Sequence, residues 1–202
     1  VKLHDRMENK GYVVLVDEYG RDITMEDGVV STMEKLKAHQ HGSLHRAISV
    51  FIFNDGAELL LQQRAFDKYH SPGKWSNTCC THPLPGELPL AAAKRRLYEE
   101  MGFITELTEA FTFLYKAEVG NGLTEHEFDH VFFGVSNQVP NPDPIEVSDW
   151  EWFSLENLMQ DLIVNSERYS FWLRHCFVKV ITHKKMIKSS IYSRCELSLR
   201  RI

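Results

Sequence analysis

Two thiols and an imidazole fall side by side in Trp75-Ser-Asn-Thr-Cys-Cys-Thr-His-Pro83, and a helix soon after carries the adjacent carboxylates Glu99 and Glu100. In an extended segment, side chains two apart point to the same side. Cys80 and His82 therefore face one cavity while Cys79 turns away into packing. Glu125 and Glu127 are likewise two apart and share a face. With His39, His45 and His82 they make an N/O donor set suited by ligand type to Mn²⁺, Mg²⁺ or Zn²⁺. Each piece alone has a plainer role. A buried cysteine is usually a small core residue, a lone histidine a satisfied polar group, and a carboxylate pair on a strand a solvated edge. Arg96 and Glu100, four apart on one helix face, could be an ordinary ion pair. Whether these residues meet is open at this level.

One match misleads. His126-Glu-Phe-Asp-His130 satisfies the zinc-protease pattern H-E-x-x-H, which works only on a helix that puts both histidines on one face. Gly-Asn-Gly-Leu-Thr precedes it and Val131-Phe-Phe-Gly134 follows. That is strand chemistry, and in a strand His126 points away from Glu127.

The elements that must carry these groups follow from punctuation and pattern. Residues 11–17 read as a strand closed by a turn at Glu18-Tyr-Gly20. Ser31 or Thr32 is placed to cap a short helix through Lys37 that ends near Ala38–Gly42. Strands at 45–53 and 58–63 are joined by a hairpin turn at Asn54-Asp55-Gly56. A turn at Ser71-Pro-Gly73 leads into the thiol stretch. The helix Pro89–Gly102 has proline in its first turn, an alanine run and a terminal glycine. Strands at 109–119 and 126–135 flank the turn Gly120-Asn-Gly122. After the loop Pro140–Pro144 comes a short extended piece at 150–153. Ser154 caps a helix to Leu162, and a longer helix runs from Ser166 into Lys184. This spacing predicts an α/β fold, a mixed sheet with helices on both faces.

At 202 residues, 43% apolar and 25% charged, the chain is most simply one soluble domain with a sizeable core. The net charge of −5 gives no global field for nucleic acid, so any phosphate site must use local cations. No apolar run reaches membrane-spanning length, and Val1-Lys-Leu-His-Asp-Arg6 is no signal peptide. Four cysteines without a secretory signal suggest reduced thiols in a cytoplasmic protein. The basic tail 184–202 reads as a solvated extension with no assigned function.

The run Glu87-x7-Arg95-Arg-Leu-Tyr-Glu-Glu-Met-Gly-Phe103 resembles the Nudix box, G-x5-E-x7-R-E-U-x-E-E-x-G-U, where U is apolar. Thr81 replaces the first glycine, and Arg96 replaces the glutamate after the arginine. A Nudix hydrolase holds several metals with its glutamates; exchanging one for arginine favours binding a diphosphate over cleaving it. More specifically, the chain resembles the type 1 isopentenyl-diphosphate isomerases, the isomerase branch of the Nudix fold. The matches are Lys37-Ala-His39, Leu44-His45-Arg-Ala-Ile-Ser-Val50, Leu60-Leu-Gln-Gln-Arg64-Ala65, Pro72-Gly-Lys-Trp75 through Cys80-Thr-His82-Pro83, Tyr115, Glu125-His-Glu127 and Trp172, over roughly residues 10–180.

The resemblance implies a Nudix-like core at about 43–180 and a small-molecule diphosphate substrate, in a monomer or homodimer. It implies that His39, His45, His82, Glu125 and Glu127 hold a buried metal, Mn²⁺ or Mg²⁺ with Zn²⁺ also compatible. Glu100 would help hold a Mg²⁺ on the diphosphate, which Lys35, Arg64, Lys68 and Arg96 would contact. Cys80 and Glu127 would be catalytic, with Tyr115 beside Glu127; which side gives the proton and which takes it stays open, with Glu127 and Tyr115 favoured as the acid and Cys80 as the base. Trp172 would lie at the hydrocarbon end and face developing positive charge. The reaction implied moves a double bond in a five-carbon diphosphate. Two other readings remain: a Nudix hydrolase of a nucleoside diphosphate derivative, and a binding module with a vestigial site.

Overall fold

The computed structural model describes residues 11–68 and 70–184; the basic tail beyond 184 lies outside the described residues. A small antiparallel pair, β1 (Tyr12–Val14) and β2 (Thr32–Glu34), leads into α1 (Lys35–His41). Then come β3 (His45–Phe53), β4 (Leu59–Arg64), β5 (Trp75–Ser76), β6 (Cys79–Thr81) and α2 (Pro89–Met101). The long strands β7 (Leu107–Gly120) and β8 (Leu123–Val135) follow, then β9 (Val147–Phe153) and α3 (Leu155–Val164). A last helix, α4, spans 171–184.

β3 to β9 form one mixed sheet in which β3 and β8 run parallel and the other pairs antiparallel. β3 is buried at every position but Arg46, so it reads as a nearly unbroken apolar run. One sheet face, with Phe51, Phe53, Val131 and Phe133, packs under α3 and α4 through Leu158, Leu173, Phe177 and Val180. The opposite face, with Ile48, Val50, Ile52 and Phe132, packs under Ala92, Ala93, Leu97 and Met101 of α2. Helices thus cover both faces, as the sequence pattern implied.

The sheet is split. β3 and β4 share a single ladder pair, Phe53 with Leu59, and then diverge. The segment from Trp75 to Thr81 fills the opening, with β5 paired to β4 and β6 paired to β3. Side chains replace the missing ladder bonds there. The Thr78 hydroxyl donates to Leu60 O at 2.7 Å and accepts from Ile52 N–H at 2.9 Å. Asn77 donates its amide to Cys79 O at 2.8 Å and Val50 O at 3.2 Å. Buried backbone groups must find partners, and this short polar run supplies them.

Two element expectations need correction. Thr32 does not cap a helix: Thr32–Glu34 pairs with Tyr12–Val14, and α1 begins at Lys35 with no side-chain cap. The ladder bonds of β1 outweigh the local capping signal. The helix expected from Ser166 is interrupted. Ser166–Arg168 form one 3₁₀ turn, Tyr169 is extended and bridges Trp75, and Ser170 N–H donates to Trp75 O at 2.8 Å. Docking onto β5 sets where α4 can start.

Candidate active site

Strand alternation does most of the positioning. Along β8, burial alternates from Leu123 to Val131, which sends Glu125, Glu127 and Asp129 to the face under α4. His126 and His130 go to the other side, where His126 Nδ1 contacts Gly42 O and His130 Nδ1 contacts Glu109. The zinc-protease match is therefore a coincidence of spacing. β6 separates its thiols in the same way. Cys79 is fully buried in the core under α2, while Cys80 stands opposite Ser49 and reaches the other face.

Three histidines from different elements converge on that face. His39 comes from α1, which ends at Gly42 in the left-handed region (φ 62°). His45 opens β3, and His82 follows β6. The ring of His39 lies 5.1 Å from that of His45 and 5.7 Å from that of His82, centroid to centroid. His45 Nδ1 donates to Ser43 O at 2.7 Å, which leaves the Nε2 lone pair facing inward. That Nε2 lies 3.2 Å from His82 Nε2 and 3.5 Å from Glu127 Oε1, and His82 Nε2 lies 3.0 Å from the same oxygen. His39, His45, His82 and Glu127 present ligand atoms within 4.8 Å of one another. Lone pairs this crowded repel unless a cation or proton lies between them, so the donor set fits a divalent metal. Burial drives the His82 pKa down to about 3 and that of His39 to about 4, which keeps both in the neutral, ligating form.

Glu125 falls outside that group of four. The Tyr115 hydroxyl donates to Glu127 Oε2 at 2.6 Å and approaches Glu125 Oε2 at 3.0 Å, so one phenolic proton serves two carboxylates. Burial and the Glu127 charge push Glu125 well above the usual carboxylate range. For Glu127, burial works against ionisation, but the His45 and His82 rings beside it outweigh burial and hold the carboxyl low.

The thiol side is held by Ser76 and Asn77, residues of the quoted stretch to which the sequence assigned no role. Asn77 is fully buried, and its Oδ1 accepts from Trp172 Nε1 at 3.0 Å and from Cys80 Sγ at 3.5 Å. Ser76 Oγ adds a second acceptor for Trp172 Nε1 at 2.9 Å. The Asn77 amide nitrogen faces two carbonyls, which fixes the flip and makes its oxygen a common anchor for thiol and indole. Burial, reinforced by the Glu100 charge, pushes the Cys80 thiol up to about 12.

His70 also faces the cavity, with Nδ1 3.6 Å from Glu125 Oε1 and its ring 6.1 Å from that of Trp172. A histidine in a turn has no periodicity, and sequence reasoning passed it over. Asp129, donated to by Ser49 Oγ at 2.7 Å, was missed too, although the alternation that placed Glu125 and Glu127 extends to it.

Lys35, Arg64, Lys68 and Arg96 line the same cavity of about 140 Å³ as Cys80, Tyr115, Glu127 and Trp172. Arg64 stands 5.3 Å from the Trp172 ring centroid and donates to the carbonyls of His70 and Ser71. Arg96 is held by three carboxylates. Its Nε and Nη2 reach Glu100 Oε1 at 3.0 and 2.5 Å, Nη1 reaches Glu99 at 2.9 Å, and Nη2 lies 3.1 Å from Glu146. Glu100 also accepts from Gln62 at 2.8 Å. Arg95 forks onto Glu87 with two bonds of 2.7 Å.

A family model described as the NUDIX domain matches residues 43–173. The chain is 49% identical to isopentenyl-diphosphate Delta-isomerase 2 of Aromatoleum aromaticum, a match covering 86% of this chain and 88% of that one. It is also 49% identical to isopentenyl-diphosphate Delta-isomerase of Pectobacterium atrosepticum, over 88% of this chain and 95% of that one. The chain belongs to the isopentenyl-diphosphate isomerases of the NUDIX family. A crystal structure of a Deinococcus radiodurans protein shares the fold, with a TM-score of 0.66 at 18% identity over 83% of this chain and 98% of that one.

The box departure at Arg96 has a visible consequence. Arg96 pairs with Glu99 and Glu100, while the box arginine Arg95 pairs with Glu87 and Glu99. Among the described residues, no helix is long and apolar enough to cross a membrane.

Proposed function

We propose that this protein interconverts isopentenyl diphosphate and dimethylallyl diphosphate by adding a proton at one carbon and removing one two carbons away. The observation that carries this reading is the make-up of one cavity. Cys80, Glu127 with Tyr115, and Trp172 line it together with Lys35, Arg64, Lys68 and Arg96. An alkene is a poor base, so its proton donor must be close and the pocket dry. Cys80 and Glu127 with the Tyr115 hydroxyl form the two proton-transfer sides. The Cys80 thiol is protonated and the Glu127 carboxyl is held ionised. In the forward direction the thiol therefore gives its proton to the terminal alkene carbon, and the carboxylate takes one from the carbon two away. This is the reverse of the order the resemblance favoured, and the return reaction restores both groups. The Trp172 face stabilises the positive charge that develops between them. The guanidinium groups of Arg64 and Arg96 suit diphosphate oxygens because they offer forked, charge-assisted donors, with Lys35 and Lys68 as point charges.

His39, His45, His82 and Glu127, with Glu125 beside them, would hold a buried divalent ion, with Mn²⁺, Mg²⁺ and Zn²⁺ all compatible by ligand type. Bound there, such an ion would fix the Glu127 carboxylate and tune its acidity. Glu100 would take part in holding a Mg²⁺ that arrives with the diphosphate. The described cysteines are free thiols, in keeping with a reducing cytoplasm.

Incubation with Mg²⁺ and isopentenyl diphosphate tests the reading directly. The allylic isomer should accumulate without released phosphate. Phosphate release would mean a hydrolase, and no turnover a binding module.

A further inference from the structure

Glu146 belongs to none of the motifs in the sequence, yet its carboxylate sits inside the cationic end of the cavity. Oε2 accepts from Lys68 Nζ at 2.5 Å and lies 3.1 Å from Arg96 Nη2. The backbone holds it there. Glu146 N–H donates to Asp143 O, Ala65 N–H donates to Glu146 O, and Asp143 N–H donates to Glu100 O, each at 3.0 Å. Asn141 N–H adds a bond to Met101 O at 3.0 Å. Gly102, left-handed at φ 75°, lets this loop approach α2, since a Cβ there would strike the Asn141 carbonyl. The loop is thus fastened both to the end of α2 and to the segment that carries Lys68. Burial opposes the charge on Glu146, but the Lys68 bond and the Arg96 charge hold its carboxyl below the usual range.

We propose that Glu146 is a specificity-determining residue, a resident carboxylate that takes the diphosphate's place on Lys68 and Arg96 and makes the site prefer the divalent-metal complex of a diphosphate over the bare polyanion. The inference rests on the diphosphate reading given above. A bare diphosphate arriving at Lys68 and Arg96 meets Glu146, seated on both cations, and Glu100, seated on Arg96. Their repulsion is strong in a part-buried site. A divalent ion arriving with the diphosphate cancels that repulsion, so the carboxylates cost the metal complex far less.

The test is calorimetric titration of the full chain, as purified, with inorganic pyrophosphate, with and without added Mg²⁺. Glu146→Gln should bind pyrophosphate about tenfold or more tightly than wild type without added Mg²⁺, while the two should agree within about threefold at saturating Mg²⁺. Glu146→Asp keeps the charge and should retain the wild-type Mg²⁺ dependence. If Glu146→Gln keeps the wild-type dependence, or binds more weakly under both conditions, Glu146 only props the two cations and the inference is overturned. Lys68→Gln and Arg96→Gln report on the underlying reading. If both bind pyrophosphate as wild type does, the diphosphate site itself is misplaced, whatever Glu146→Gln does.

Discussion

At the scale of single residues, the adjacent thiols differ because a strand sends successive side chains to opposite faces. Cys79→Ala should cost about 1–2 kcal/mol of stability, as a small core truncation does, and leave substantial activity. Cys80→Ala should lower kcat by at least about 10²–10⁴-fold, the range of a lost proton-transfer group, with little change in melting temperature. Equal losses from both variants would remove the thiol from the mechanism. The raised Cys80 pKa, at about 12, has its own readout in the free protein. In a Cys79→Ala background, iodoacetamide labelling of Cys80 at pH 8.5 should run roughly a thousandfold slower than for a free thiol and rise about tenfold per pH unit. Labelling at an ordinary rate would contradict a protonated resting thiol. Trp172 makes a paired case. A desolvated cation–π contact is worth about 2 kcal/mol, about thirtyfold in rate if made only in the transition state. Trp172→Phe keeps a π face but loses the bonds to Ser76 and Asn77, whereas Trp172→Leu loses both. Leucine should therefore reduce kcat more than phenylalanine does. Equal kcat in the two variants would make Trp172 structural.

At the scale of elements, the proposed metal set draws His39 from α1, His45 from β3, His82 from the end of β6 and Glu127 from β8. A bound ion would tie four chain segments that otherwise meet through packing, and ligands of that kind couple binding to stability. Metal analysis of the purified protein should find about one tightly held divalent ion per chain, a stoichiometry that follows from a single donor set. His82→Ala should lose it, and the melting temperature of wild type should fall on chelation. Full metal content in the His82 variant would mean that the ligand set is wrong. The split between β3 and β4 matters at this scale too. It places β6 beside β3, and hence Cys80 on the Glu127 side of the sheet with only β3 between their strands.

At the scale of the whole molecule, the buried site makes stability depend on pH, with opposing signs. Burial lowers His70 to about 2, so the native ring stays neutral while the unfolded one takes a proton below its ordinary value of about 6.5. The stability this gives is present above about pH 6.5 and is lost as pH falls toward the folded value. Glu125 and Asp129 are raised, and they contribute in the opposite direction over the same window. A comparison of variants isolates the histidine. Between pH 6.5 and 5, wild type should lose about 2 kcal/mol more than His70→Gln in urea unfolding, at about 1.4 kcal/mol per pH unit. Identical slopes would show that His70 is not held neutral by the fold.

Local periodicity and short motifs carried what could be read from the chain alone. Alternation put Glu125 with Glu127 and parted Cys79 from Cys80. The proline, alanines and glycine of residues 89–102 marked α2, and the resemblance to the Nudix box, with Arg96 in place of a glutamate, pointed away from hydrolysis. These properties depend on neighbours in the chain, so they are legible without a fold. Tertiary structure decided the rest. The start of α4 was set by Tyr169 docking on Trp75, and β2 by its pairing with β1, each against a local signal. Asn77 became the anchor of Cys80 and Trp172, although 95 positions separate Asn77 from the indole it holds. Glu146 reached Lys68 across 78 positions of chain. Such contacts depend on which strands the sheet sets side by side, and a single sequence carries no period from which to read that.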